Sequence, residues 1–219
     1  MKYINMRDDR EKRRQIRESY DLAAADYARE FFNELDGKPF DRSILDRFSK
    51  LTAGKGKVCD IGCGPGEVAC YLKKCGLDVT GVDISSEMIA QAKKLTPEIE
   101  FLQGDMFKLP FEARSLAGIA AFYSIVNYRP ESVGEAFSEF YRVIAAGGYL
   151  LIAFHTGKNK VFEVKRFFNK KTRLRFCYFD TDDILGKLVK AGFKIDEALV
   201  RYPYKDEHPT KRAYIIARK

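Results

Sequence analysis

One stretch decides the fold of this chain: Val58-Cys59-Asp60-Ile61-Gly62-Cys63-Gly64-Pro65-Gly66. A β-prone run leads into a turn with glycine at every second position, and Glu67–Lys74 then has the composition of a helix. Glycine has no Cβ, so the backbone can turn sharply there and approach a ligand closely. The stretch therefore predicts a strand, a ligand-contacting turn and a helix in succession.

The charge of this turn indicates what kind of ligand it contacts. A dinucleotide-binding turn has the pattern G-x-G-x-x-G, with the pyrophosphate on the helix N-terminus. Here Glu67 occupies the place of the third glycine, and Asp60 adds a second carboxylate. These carboxylates would repel a diphosphate, and they favour a ligand that carries ammonium and sulfonium groups. S-adenosylmethionine is such a ligand.

The next two strand-like runs agree with this interpretation. Leu77–Asp83 ends in an acid about 20 residues after the first glycine, where a carboxylate holds ribose hydroxyls. Ile99–Gln103 is followed by Gly104 and Asp105, whose carboxylate could accept a hydrogen bond from the amino group of adenine. The adenine ring would then lie between two apolar side chains, Ile84 and Met106.

Three motifs together resemble those of class I S-adenosylmethionine-dependent methyltransferases of the small, single-domain kind similar to methyltransferase type 11. They are D-x-G-x-G-x-G from Asp60, V-D-I-S-x-x-M from Val82 and G-D-M-x-x-L-P-F from Gly104. The resemblance is strongest over residues 55–155 and looser in the flanks. It implies a Rossmann-like fold and S-adenosylmethionine as the cofactor.

The resemblance also implies a set of cofactor-binding residues. Those that would contact the methionine, ribose and adenine parts are Asp60, Gly62, Cys63, Gly64, Asp83, Ile84, Met88, Gly104, Asp105 and Met106. At the end of the fourth strand, Phe122 and Tyr123 complete this set. Tyr20 and Tyr27, in a Y-D-x-x-A-x-x-Y pattern, either cover the cofactor as in this family or belong to an apolar helix stripe. A second interpretation also exists for Cys63, as a small spacer, and for Met88, as a core residue.

Composition places the chain among globular proteins. Its 219 residues, 46% hydrophobic and 32% charged, fit one domain with its own core. No apolar run approaches the roughly 20 residues that span a bilayer, and Met1 to Arg17 is charged rather than apolar. The five cysteines form no C-x-x-C pair, which argues against a disulfide framework and a zinc site. We therefore expect a cytoplasmic protein with no secretory signal, no metal and no membrane partner.

The net charge of +8 is concentrated in one segment. Between Lys158 and Arg175 there are eight basic residues against Glu163 alone, a net charge of +7. A basic patch raises the local concentration of anionic partners. Two interpretations stay open at this point: a solvated helix face, or a surface for an acidic substrate or nucleic acid.

Alternating strand and helix signals predict an α/β fold. Strands are expected at 57–61, 77–82, 99–103, 117–123, 148–155, from 193, and at 212–218, with a helix after each of the first four. The result is a Rossmann-like, seven-stranded, mostly parallel sheet with helices on both faces; the resemblance implies an antiparallel last strand. Helices are also predicted at 7–33, from Asp41 as a cap to about Leu51, up to Ala145–Gly148, and from Asp180 or Thr181 to Lys190. One domain, 1–219, would comprise an N-terminal helical lid (1–52) and a basic substrate-facing segment (156–185).

Catalytic candidates lie where ligands bind in such sheets, beyond the carboxyl ends of the strands. His155 closes the fifth strand, and its ordinary pKa near 6.5 suits a general base, although a structural hydrogen bond would explain it as well. Arg201 and Arg212 could clamp a carboxylate or phosphate, or they could be surface charges flanking a hairpin. The fourth strand ends without the Asn/Asp-Pro-Pro motif of enzymes that methylate the amino groups of nucleic-acid bases. No cysteine follows a proline or a threonine, as the nucleophilic cysteine of a cytosine-5 methyltransferase would.

The sequence thus predicts transfer of a methyl group to an oxygen or nitrogen of a small molecule with an acidic group. Catalysis would come mainly from holding the nucleophile and the methyl group in line. Two alternatives remain: an RNA methyltransferase, favoured by the pI of 9.1, and a non-catalytic S-adenosylmethionine-binding regulator. The sequence carries no motif for the acceptor or for the oligomeric state.

Overall fold

Two helices precede the sheet in the computed structural model, which describes residues 6–219, with side chains from Arg10 onward. They are α1 (Met6–Phe31) and α2 (Pro39–Thr52), separated by a 3-10 turn at Glu34–Gly37. Both predicted helices are confirmed, although the first five residues of the predicted lid lie outside the described part. The expected cap at Asp41 is wrong. Helix α2 begins at Pro39, whose fixed φ suits a first helical turn, and Asp41 is instead fully buried.

A seven-stranded sheet forms the centre of the fold, as predicted. Its strands are β1 (Val58–Ile61), β2 (Val79–Asp83), β3 (Glu100–Gln103), β4 (Leu116–Phe122), β5 (Ile144–His155), β8 (Lys194–Arg201) and β9 (Arg212–Arg218). They are ordered β3-β2-β1-β4-β5-β9-β8. The first five pair in parallel, and β9 lies antiparallel between β5 and β8. From β1 the strand order runs through β2 to β3 on one side, and it continues with β4 and β5 on the other side of β1. The carboxyl ends of β1 and β4 therefore border the crevice where such sheets bind ligands.

Four helices cover the two faces of this sheet: α3 (Glu67–Lys74), α4 (Ser86–Leu95), α5 (Pro130–Val143) and α6 (Thr181–Ala191). Asp180 caps α6 by accepting hydrogen bonds from the next backbone amides, as predicted. The helix expected after the third strand is wrong, because turns and a Pro110-containing loop join β3 to β4. The sequence Ala145–Gly148 does not end a helix either: α5 ends at Val143, and these residues form the irregular start of β5.

The basic segment is a β-hairpin rather than a helix. Its strands are β6 (Lys160–Phe167) and β7 (Lys170–Tyr178), paired antiparallel. Phe168 and Asn169 form the turn, both with positive φ (49° and 59°), as a tight two-residue hairpin turn requires. The basic side chains obscured the alternation of Phe162, Val164, Leu174 and Phe176, which is the strand signal in this segment.

Apolar side chains fill both sides of the sheet. On one side α5 packs against β5 and α6 packs against β8, and on the other α2 packs against β5 and α3 packs against β1 and β2. Phe48, Phe137 and Phe140 are completely buried in these two cores. None of the helices within residues 6–219 has the length and apolar content that crossing a bilayer requires.

Candidate functional site

The glycine turn between β1 and α3 has a backbone that only glycine adopts without strain. Gly62, Gly64 and Gly66 have φ angles of 67°, 52° and 90°. A Cβ on Gly62 would lie 2.3 Å from the Cβ of Ser124, which follows β4. The turn is therefore pressed against the end of the neighbouring strand, which brings two strand ends to one cavity.

A cavity opens at these strand ends, and it collects nearly all of the predicted cofactor contacts. The predicted residues that line it are Tyr20, Tyr27, Asp60, Gly62, Cys63, Gly64, Asp83, Ile84, Met88, Gly104, Met106, Phe122 and Tyr123. Glu67, which the sequence places in the ligand-contacting turn, lines it as well. Several further lining residues were not predicted: Ile16, Glu34, Ile61, Pro65, Val68, Val82, Ser124, Asn127 and Tyr128. Four of these residues, Ile61, Pro65, Val82 and Ser124, directly adjoin a predicted one in sequence, but nothing local marks Glu34.

The charged side chains that line the cavity are all acidic. Glu34, Asp60, Glu67 and Asp83 contribute carboxyl groups, and no lysine or arginine is among the described lining residues. A phosphate-bearing ligand would find no cationic partner there. A ligand with a positive charge next to polar hydroxyl groups suits these walls.

Two aspartates organise the turn from the ends of adjacent strands. The Asp83 carboxylate accepts hydrogen bonds from the backbone amides of Gly64 (2.9 Å) and Ser85 (2.8 Å). Asp60 accepts one from the amide of Ala69 in the first turn of α3 (3.0 Å). These bonds fix the loop relative to both strands. The shape of the turn is therefore set before any ligand binds.

Burial makes these carboxyl groups hold protons more tightly than usual. It raises the pKa of Asp60 to about 7 and that of Asp83 to about 6, against the opposing effect of their backbone hydrogen bonds. For Glu67, burial and the nearby Glu34 raise the pKa to about 9. Glu67 is therefore protonated at neutral pH, so the expected repulsion of a diphosphate comes from the aspartates rather than from Glu67. It also accepts a hydrogen bond from the Leu35 amide at 2.8 Å.

Helix α1 and the hairpin β6–β7 close over the cavity together. The hydroxyl of Tyr20 donates to Oδ1 of Asn127 (2.8 Å), and Nδ2 of Asn127 donates to the carbonyl of Arg175 (2.8 Å). Tyr27 packs against Phe168 in the hairpin turn, with ring centroids 5.9 Å apart. Tyr20 and Tyr27 therefore contact both the cavity and the hairpin, and their role in covering a bound cofactor stays a prediction.

Asp105 does not line the cavity. Its Oδ2 accepts a hydrogen bond from Nη1 of Arg13 on α1 (3.0 Å), and its Oδ1 accepts one from the amide of Phe107 (3.1 Å). The guanidinium of Arg13 also lies over the Phe107 ring, 4.7 Å from its centroid. The carboxylate thus fastens α1 through an ion pair, and its predicted hydrogen bond to adenine stays a prediction. Its neighbour Met106 does line the cavity.

His155 lies at the end of β5, next to the cavity wall. Its ring centroid is 5.2 Å from that of Tyr123, and its Nδ1 shares a hydrogen bond with the Thr210 hydroxyl (2.8 Å). Burial, together with the positive charges of Arg212 and Lys38, lowers the pKa of His155 to about 3. The imidazole is therefore neutral at physiological pH. Its role as a base stays a prediction.

Arg201 and Arg212 clamp a carboxylate of the protein itself. Arg201 binds Glu207 through two nitrogen atoms (2.6 and 2.9 Å), and Nε of Arg212 lies 3.3 Å from the same carboxylate. A second ion pair joins Arg201 to the buried Asp41 at 2.6 Å. Neither predicted role, a ligand clamp or a pair of surface charges, describes these arginines, since Arg212 is only 3% exposed.

The sheet order, the antiparallel strand β9 and the acidic glycine turn define a class I methyltransferase fold. Residues 58–148 match the family model described as methyltransferase domain. Over these residues the chain therefore carries a methyltransferase domain with the class I fold. S-adenosylmethionine is the cofactor of this class, and the acidic cavity fits its sulfonium and ammonium groups.

Similar proteins support this assignment. A demethylmenaquinone methyltransferase of Chlorobaculum tepidum is 40% identical over 93 residues, 42% of this chain and 38% of that protein. A ubiquinone/menaquinone biosynthesis C-methyltransferase of Campylobacter jejuni is 34% identical over 111 residues, 48% of this chain and 46% of that protein. The matches thus span less than half of these relatives. A solved S-adenosylmethionine-dependent methyltransferase of Methanosarcina mazei has the same fold, with a TM-score of 0.68 and 22% identity over 74% of this chain and 92% of that one.

Proposed function

We propose that this protein transfers the methyl group of S-adenosylmethionine to a small-molecule acceptor. The observation that carries the proposal is the charge of the cavity, where carboxyl groups are the charged side chains and glycines form the floor. Asp83, held by the Gly64 and Ser85 amides, would bind the ribose hydroxyls. Asp60 and the turn around Gly62 would surround the methionine part.

When bound, the cofactor supplies a methyl group already activated by a sulfonium centre. The protein then needs only to orient the acceptor and exclude water, and correct positioning alone can provide most of the rate enhancement. Tyr20, Tyr27 and the hairpin turn would exclude water by covering the cavity. Phe122 and Tyr123, at the end of β4, would form the wall against which the acceptor lies.

We further propose that the acceptor is a hydroxylated aromatic ring. Aromatic side chains of Tyr20, Tyr27, Phe122, Tyr123 and Tyr128 line the cavity, and flat rings pack well against one another. A phenolic hydroxyl group is weakly acidic, in keeping with the acidic acceptor that the sequence predicts. Its anion can take the methyl group on oxygen or, through delocalisation, on a ring carbon. The name of the Campylobacter relative describes that protein as a C-methyltransferase, which supports transfer to carbon. Transfer to nitrogen is the less supported outcome.

Neutral His155 would accept a hydrogen bond from the phenolic hydroxyl group, since it lies at the end of β5 beside Tyr123. With a pKa of about 3 it is too weak a base to hold the proton, which would pass to bulk water as the methyl group is transferred. A His155→Gln variant keeps a hydrogen-bonding side chain and should retain part of the turnover, whereas His155→Leu should retain less.

The test is incubation of the protein with donor labelled in the methyl group and with separated pools of metabolites, RNA and protein. We expect label in the metabolite pool. Nuclear magnetic resonance of the product then identifies whether carbon, oxygen or nitrogen carries the methyl group. Label in RNA alone would establish the RNA alternative, and donor binding without turnover in any pool would establish the regulator.

An Asp83→Asn variant ties the activity to this cavity. The amide keeps the size of the side chain but removes its charge, so we expect donor affinity to fall about tenfold or more, as the loss of a charge-assisted hydrogen bond implies. Asp78→Asn is the matched control, because Asp78 is exposed just before the same strand. Equal donor affinity in both variants would show that the donor binds elsewhere.

A further inference from the structure

The hairpin β6–β7, which covers the cavity together with α1, presents basic side chains to solvent on its outer face. In β7 the buried Thr172 and Leu174 alternate with the exposed Lys171 and Arg173. In β6, Lys165 and Arg166 are exposed as well. The apolar side of the same hairpin packs into the core through Leu174 and the half-buried Val164 and Phe176. The basic side is therefore held rigidly by its own fold, and it faces away from the cofactor cavity.

Some of these cations are placed where they repel one another. Arg166 and Lys171 are direct register partners across the hairpin. Like charges in directly opposite positions destabilise a strand pair. Within residues 10–219, Glu163 pairs with Arg175, and no carboxylate lies within ion-pair distance of Lys165, Arg166, Lys171 or Arg173. An external anion would relieve this repulsion, so the hairpin is suited to an anionic partner.

A groove runs between this hairpin and α1, and it combines charge with exposed aliphatic surface. Lys165, Lys171 and Arg173 line it on the hairpin side. On the helix side it contains Leu22, which is 58% exposed. Val161, 43% exposed, adds a second aliphatic side chain on β6. The two groove carboxylates are already engaged, Glu18 with Arg14 and Glu163 with Arg175.

The positions of the aromatic rings distinguish between the possible polyanions. Single-stranded nucleic acids are bound by stacking their bases on accessible aromatic side chains. In this hairpin Phe162 stacks on Phe176, and Phe167 and Phe168 pack against Tyr27 of α1. These rings turn inward, and the exposed apolar side chains of the groove region are aliphatic. Lysine and arginine beside exposed aliphatic residues suit the interface of an anionic bilayer.

We propose that the outer face of hairpin β6–β7 and the adjoining side of α1 bind an anionic phospholipid surface. The basic side chains contact the headgroups, and Leu22 enters the boundary of the acyl region. The sequence predicts no membrane partner because no apolar run is long enough to span a bilayer, but a peripheral contact requires no spanning segment. The hairpin and α1 also cover the cavity, so docking would hold this cover at the membrane surface.

The test is sedimentation of the full chain with vesicles of phosphatidylcholine alone or mixed with phosphatidylglycerol; it needs no methyl acceptor and so is independent of the proposed activity. We expect binding to the mixed vesicles only, and weaker binding at higher salt. The triple variant K165Q/K171Q/R173Q should lower the partition coefficient about 100-fold, since each basic residue near a charged membrane contributes roughly fivefold. The control triple K50Q/K74Q/K190Q removes the same charge from exposed sites on α2, α3 and α6 and should bind as the parent does.

Leu22→Gln separates a bilayer from a nucleic acid. It should lower vesicle binding several-fold and leave binding to a single-stranded RNA of mixed sequence unchanged. Equal losses in the two triple variants would overturn the proposal, because the effect would then depend on net charge alone. Tighter binding of RNA than of mixed vesicles, with no effect of Leu22→Gln on either, would overturn it in favour of a nucleic-acid surface.

Discussion

The hydroxyl oxygens of Tyr123 and Tyr214 lie 2.9 Å apart, although 91 positions separate the two residues in the chain. Tyr123 follows β4 with a positive φ of 53° and lines the acidic cavity. Tyr214 belongs to β9, donates to Asp41 (3.0 Å) and accepts from Arg201 (2.9 Å). An unusual backbone conformation at the cavity wall is thus held by a buried polar network that extends to α2 and β8.

Tyr214→Phe should destabilise the protein by about 1–3 kcal/mol, because it leaves buried partners of the hydroxyl without a hydrogen bond. It should also weaken donor binding, since Tyr123 loses its support. Urea unfolding and calorimetric titration measure the two effects. Tyr141→Phe is the control, because no hydrogen bond of the Tyr141 hydroxyl is found among the described residues; an equal loss in both variants would show that the network contributes nothing.

Gly62→Ala should destabilise the protein by about 3 kcal/mol, because the new Cβ combines a positive φ with a 2.3 Å approach to Ser124. Donor binding should fall with it. Gly186→Ala tests the opposite case, since Gly186 lies inside α6 and a Cβ added there would meet no neighbouring atom within 4 Å. That variant should gain about 0.5–1 kcal/mol. Thermal unfolding compares the two, and similar melting temperatures would contradict the argument.

The affinity for S-adenosylmethionine should rise between pH 5 and pH 8. A cationic ligand favours ionised carboxylates, and burial raises the pKa of Asp83 to about 6 and that of Asp60 to about 7. Binding should therefore release protons in this range. Calorimetry in buffers of different ionisation enthalpy measures that release, and an affinity independent of pH would contradict the placement of the donor beside these aspartates.

The ligand-free protein should show the opposite trend in stability. A carboxyl group whose pKa is higher in the folded than in the unfolded state stabilises the fold most fully below the unfolded value, near 4. That stabilisation is lost as pH rises through the folded values, about 6 for Asp83, 7 for Asp60 and 9 for Glu67. Asp60→Asn should flatten the dependence around pH 7 in urea unfolding, whereas the exposed Asp78→Asn should leave it unchanged.

Phe168→Ala should speed the release of bound donor by loosening the lid. Its ring packs against Tyr27, Phe31 and Phe167 at centroid distances of 5.9, 5.9 and 4.8 Å. Loss of these contacts should raise the dissociation rate about tenfold, since ring pairs contribute about 0.5–1.5 kcal/mol each. Tyr202→Ala, which removes a ring that is 74% exposed, is the control in stopped-flow displacement. Unchanged release from both would mean that the donor leaves by another route.

The features that depend on residues close together in the chain could be predicted from the sequence. The glycine turn, the ends of β1 and β2 and the cap of α6 depend on neighbours within a few positions, and each was predicted. The hairpin was not, because eight basic residues hid a two-residue alternation of apolar side chains. The missing helix after β3 was predicted from the regular alternation of the fold, although Pro110 and Gly104 favour a loop there.

The polar contacts that lie far apart in the chain could not be predicted. Asp41 had the position of a helix cap, yet its partner Arg201 lies 160 positions away. Asp105 had the position of an adenine contact, yet Arg13 reaches it from α1. A carboxylate is compatible with several partners, and only the packing of whole elements decides which of them comes within reach.

The Asp41–Tyr214 hydrogen bond joins residues 173 positions apart, and this spacing has a consequence during synthesis. While the ribosome is still translating the segment before β9, β1 and its glycine turn have already emerged, but the brace behind Tyr123 does not yet exist. A nascent chain at that stage has the acidic floor of the cavity without its finished wall. We therefore expect S-adenosylmethionine to bind late in the synthesis of this protein. It would bind after β9 has joined the sheet, and it would not direct that step.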